Sequence, residues 1–87
     1  MLMVFEVYFE PGSNPDALLT ADLRRETQAQ MMTFEEAKKV GFAGLPTPST
    51  GGEARLIAVA ERDGKWIHRV LETSSMVAGF RVHNVDA

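Results

Sequence analysis

Hydrophobic and polar positions are patterned most densely over residues 55–71, RLIAVAERDGKWIHRVL. Two apolar runs flank Arg62-Asp63-Gly64-Lys65. Asp-Gly in that setting signals a two-residue type I′ turn, whose central positions both need positive φ. The spacing predicts a β-hairpin in which Glu61 faces Trp66, Val59 faces His68 and Ile57 faces Val70. The alternate pairs are Ala60 with Ile67, Ala58 with Arg69 and Leu56 with Leu71, on the opposite surface. A sheet with one wet face alternates cleanly between apolar and polar residues. Here both faces are largely apolar.

The rest of the chain supplies elements around this stretch. Over 3–9, Met3, Phe5, Val7 and Phe9 alternate with Val4, Glu6 and Tyr8, which predicts a strand with the phenylalanine side inward. Glu10-Pro11-Gly12 ends it. Asn14-Pro15-Asp16 is a helix start, with a side-chain cap and proline at the first position. A helical turn or two over 15–25 follows, or else a loop pinned by Leu18, Leu19 and Leu23. Residues 26–33 alternate as a strand would. Gln, Ala and Met there favour helix on intrinsic propensity, which leaves a continuous helix as the alternative. Thr33-Phe34-Glu35-Glu36 is a capping box. Phe34, Ala37 and Val40 form one stripe of a short helix, Lys38 and Lys39 suit its end, and Gly41 or Gly44 suits its stop. Residues 45–53 read as a connector. Residues 76–85 read as a last strand, with Phe80 and Val82 on one face and Arg81 and His83 on the other. The expected fold is a single α+β domain over residues 1–87. It is a two-layer sandwich with a mainly antiparallel sheet of four or five strands and helix on one face.

Composition removes several chemistries. At 87 residues the chain is one small domain with a modest core. It has no cysteine, so disulfides, thiolate catalysis and cysteine-ligated metals are out, and a reducing compartment fits. The apolar start carries Glu6 and no basic segment, so neither a signal peptide nor a spanning helix is expected. A soluble, cytoplasmic protein that does not engage membranes is the expectation. The formal charge of −3 disfavours a dedicated phosphate-backbone binder.

Candidate chemistry is sparse. His68 and His83 are the only histidines, on strands expected to be neighbours, with Glu61 as a conceivable third ligand. Solvated or partly packed histidines are the simpler reading, and parity places His83 away from Phe80 and Val82. No metal or cofactor is expected. Hydroxyls at Thr47, Ser49, Thr50, Ser74 and Ser75 lack a nucleophile elbow, and Gly51-Gly52 lacks phosphate-loop spacing. The carboxylates show no close pair, and Glu6 and Glu10 are expected on or beside an edge or surface. No catalytic residue is assigned.

The doubly apolar hairpin is left as the informative feature. If Leu56, Ala58, Ala60, Ile67 and Leu71 pack under the helix, then Trp66, Ile57, Val59 and Val70 face outward, rimmed by His68 and Glu61. A patch centred on tryptophan marks a partner surface. The expected function is a non-enzymatic interaction module that uses a sheet face to form a homodimer or to hold another protein. The layout is common among small bacterial and phage proteins, and an inhibitor occupying a partner's surface is one form of this reading. A second reading is a nucleic-acid module using Arg55, Arg69 and Arg81 with Trp66. A third is a small enzyme with a site formed between subunits and His68 or His83 as base.

Overall fold

The structure, a computed structural model, describes residues 2–40 and 53–85. The glycine stop expected at Gly41 or Gly44, and all but the last residue of the 45–53 connector, lie outside the described residues. Strand β1, Leu2–Phe9, is apolar on both sides and is central in the sheet. Beyond it Gly12 takes φ +82°, a left-handed conformation suited to glycine. The Asn14 side chain accepts the Asp16 N–H at 3.2 Å and starts a single 3-10 turn, Pro15–Ala17. The expected helix therefore forms in two pieces. Thr20 caps the second, α1, Ala21–Thr27, by accepting the Leu23 N–H at 3.2 Å. Gln28, at φ +56°, turns the chain out of α1 and into β2, Gln30–Met32. The strand expected over 26–33 is thus confined to three residues of its second half.

Thr33 and Glu36 form both arms of the capping box, and α2, Phe34–Lys39, follows. Its stripe is narrower than expected: Ala37 is buried and Phe34 partly so, while Val40 is exposed. Strand β3, Ala54–Ala60, leads without a turn into α3, Glu61–Thr73, and β4, Val77–Val85, closes the chain.

The predicted hairpin is therefore half right. Residues 54–60 are a strand, but residues 61–73 are a helix, and the Glu61–Trp66, Val59–His68 and Ile57–Val70 pairings do not form. Neither Asp63 nor Gly64 has the positive φ that a type I′ turn needs. The apolar period changes at Glu61, because Gly64, Ile67 and Leu71 share one buried helical stripe. Glu61 and Asp63 lie in the first turn, where the helix dipole favours carboxylates. Gly64 serves contact rather than turning: the Met3 side chain fills the space a Cβ would take, so α3 lies close on β1.

The sheet has four strands in the order β2-β3-β1-β4, and all neighbouring pairs are antiparallel. β3 and β4 thus run the same way on either side of β1, joined by α3. β1 and β2 likewise flank β3, joined by α1. Two interlocked β-α-β units of this kind are the split arrangement of ferredoxin-like domains. The α+β class and the antiparallel sheet agree with the sequence reading.

Both sheet faces are packed, whereas the sequence pattern predicts helix on one face only. On the first, Phe5, Val7 and Phe9 meet Ile57 and Val59, Leu23 of α1, and Ile67 and Leu71 of α3. On the second, Val4, Leu56 and Ala58 meet Ala37 of α2. The two-sided apolar pattern of β1 and β3 reflects a sheet covered from both sides. It does not mark one face held open for a partner.

Candidate functional site

Parity along β1 and β4 assembles one polar cluster within the second face. β1 pairs with β4 so that Glu6 lies opposite Arg81, Val4 opposite His83 and Tyr8 opposite Gly79. Residues directly opposite share a face, so Glu6, Tyr8, Arg81 and His83 all belong to the second one. Glu6 is 1% exposed on a central strand. Its carboxylate accepts the Tyr8 hydroxyl at Oε2, and His83 Nε2 lies 2.9 Å from Oε1. Burying a carboxylate is costly unless hydrogen bonds replace water, and Tyr8 and His83 make that replacement. His83 is partly exposed, its side chain retaining 26% of its surface. Its Nδ1 makes no hydrogen bond among the described residues. Arg81 is exposed two positions along β4. Among the described residues, nothing stands within 4 Å of where a Gly79 Cβ would be.

The second notable feature is the strand that carries His83. β4 lies at the end of the sheet, and among the described residues no strand pairs with its outer edge. It spans nine residues, and none is buried. Val82 is 39% exposed, and Val77, Phe80 and Val85 are partly so. Arg81 is its only residue with a permanent charge, and it contains no proline. Native edges are normally protected by shortness, charge, proline or a covering segment. The other edge, β2, has only three residues and is protected by its length.

The sequence-predicted residues do not assemble as expected. Ile57 and Val59 are fully buried in the first-face core, because the helix expected over only one face is matched by helices on both. Val70 packs against that core from α3. Glu61 is exposed at the start of α3. His68, on α3, packs edge-on to Phe80 at 5.1 Å between ring centroids and pairs with Glu72 at 2.5 Å. Trp66 is 47% exposed, as expected, but its company differs: it shares a shallow depression with Arg62, Lys65 and Arg69. Residues 66 and 68 lie roughly 200° apart around a helix, so Trp66 points away from the flank of α3 that His68 lays against β4. Trp66→Ala is accordingly expected to change unfolding free energy by less than about 1 kcal/mol, measurable by urea titration.

The arginine stripe does not form either. Arg55 is held at 2.7 Å by Glu53 near the start of β3. Arg69 is on the outer side of α3, and Arg81 is on the second sheet face, with the sheet between them. The expected approach of His68 to His83 fails for the same reason. One stands on a helix over the first face, the other within the second. No group of three metal-ligating side chains occurs among the described residues.

Glu6 is the residue that sequence reasoning missed. It was expected at an edge or surface, whereas it is central and buried because β3 and β4 flank β1. A lone carboxylate in an otherwise apolar strand was the available signal. The parity that put Arg81 and His83 on one face of β4 holds, and it is what brings His83 to Glu6. Compared with models of known protein families and with curated protein sequences, the chain matches none. Among the described residues, no helix is long and apolar enough to cross a membrane.

Proposed function

We propose that this protein is an interaction module that pairs with a second copy of itself through the outer edge of β4. The observation that carries the reading is a nine-residue, mostly apolar edge strand without a buried residue. Every second residue of such a strand directs its N–H and C=O outward, and a further strand satisfies them best. Two copies of one strand can pair antiparallel about a two-fold axis, so the edge is its own complement. A register centred on Val82 sets the two exposed valines together. A register centred on Arg81 opposes like charges and is disfavoured. The product is a continuous eight-stranded sheet, which leaves no long edge unprotected.

This keeps the expected homodimer but moves it from a sheet face to a sheet edge, and from Trp66 to Val82. The cytoplasmic setting expected from the lack of cysteine stays part of the proposal. Val82→Lys places a charge at the centre of the seam, and the folded monomer already exposes that side chain. The variant is expected to elute as a folded monomer by size-exclusion chromatography, while Trp66→Ala elutes with the parent. Association lost with Trp66→Ala and kept with Val82→Lys would refute the assignment.

A further inference from the structure

Each histidine meets a carboxylate, but in opposite settings. On α3 both His68 and Glu72 are open to solvent, with side chains 45% and 56% exposed. Water screens such a pair, and its coupling is weak. Glu6 retains 1% of its side-chain surface, so its hold on His83 is screened far less. A buried carboxylate that fixes one imidazole nitrogen while leaving the other open is how a histidine base is oriented. With Nε2–H donating to Glu6, the lone pair lies on Nδ1.

We propose that His83 is a general base, positioned by Glu6, for a small carboxylate substrate with an acidic C–H beside a carbonyl. Arg81 supplies the second recognition element. It lies on the same face two residues from His83, roughly 7 Å along the strand. A guanidinium binds a carboxylate in a two-pronged fork. A 2-oxo acid whose carboxylate docks on Arg81 can present its C–H to Nδ1 of His83, its neighbour on the same face. In the step, the C–H bond breaks, its electron pair delocalises into the carbonyl as an enolate, and the proton bonds to Nδ1. Glu6 stabilises the imidazolium that forms. Return of the proton to carbon completes the cycle with no other reactant. Glu6 touches no substrate and is a positioning residue. The dyad and Arg81 are present in each single chain, and in a seam centred on Val82 the partner's Arg81 also lies opposite His83.

The test is exchange of the pyruvate methyl protons in D2O, followed by NMR, with the full chain. His83→Gln keeps an N–H donor for Glu6 but removes the base, and it is expected to slow exchange by about 100-fold. Arg81→Ala is expected to raise the half-saturating pyruvate concentration about tenfold with little change in the limiting rate. Glu6→Gln is expected to do the reverse, lowering the limiting rate alone. Equal exchange by the parent and a folded His83→Gln variant overturns the proposal. Unchanged half-saturation in Arg81→Ala removes Arg81 from it. A measurement on the unaltered protein guards against misfolded variants. Diethyl pyrocarbonate modifies both histidines, and pyruvate should slow the His83 reaction only. No protection of His83 by pyruvate, or equal protection of His68, also overturns it.

Discussion

Phe5→Ala is expected to lower the unfolding free energy by about 3–5 kcal/mol, the usual cost of removing a buried aromatic ring. Phe5 is fully buried. It lies opposite Ile57 on β3 and Val82 on β4, so it sits at the middle of the sheet. Its ring centroid lies 6.2 Å from that of Phe80 and 6.5 Å from that of His68. The truncation therefore opens a cavity beneath α3, walled by residues from three strands and a helix that cannot collapse together. A domain of this size has about 5–10 kcal/mol in total, so the variant loses roughly 30% or more of its stability. Each kcal/mol corresponds to about 4–8 °C in Tm, and a thermal melt followed by circular dichroism reads the loss directly. A change under 1 kcal/mol would mean that the sheet and α3 are not packed as described.

Glu6→Ala is expected to cost about 2–4 kcal/mol, whereas Glu6→Leu recovers most of that loss. Alanine removes the shared acceptor of Tyr8 and His83 and leaves a void between Val4, Leu56 and Ala58. Tyr8 and His83 are partly exposed and regain some bonding from water, which keeps the cost below that of a fully buried network. Leucine fills the void with apolar atoms on a face that is already apolar. The ordering of the two variants in urea titration separates the carboxylate's effect from that of volume. If leucine is as damaging as alanine, the hydrogen bonds at Glu6 hold this part of the sheet together. If leucine is close to the parent, the carboxylate is there at a cost to stability, in keeping with its proposed work on His83.

Local signals were legible where one element decides its own structure. The Asn14 cap, the capping box at Thr33, the inward phenylalanines of β1 and the parity of β4 all needed only neighbours in sequence. The helix at 61–73 was misread because Asp-Gly between apolar runs carries the same local meaning in a hairpin. What decided it was distant: the Met3 side chain occupies the space beside Gly64, and Ile67 and Leu71 reach the β1 core together. The candidate site was legible only in part. Parity alone sets Arg81 and His83 on one face, but the sequence leaves Glu6 peripheral, since nothing local shows that β1 lies between β3 and β4. The sequence pattern leaves Ile57 and Val59 outward for want of a second covering layer, and α2 on one face with α1 and α3 on the other provide both layers.

Light scattering over a concentration series tests the central claim, that β4 is a self-pairing edge. A self-pairing edge gives a mass of twice 9.6 kDa at high concentration, with dissociation on dilution and a lasting monomer for Val82→Lys. A parent chain that remains at 9.6 kDa across the series would contradict it.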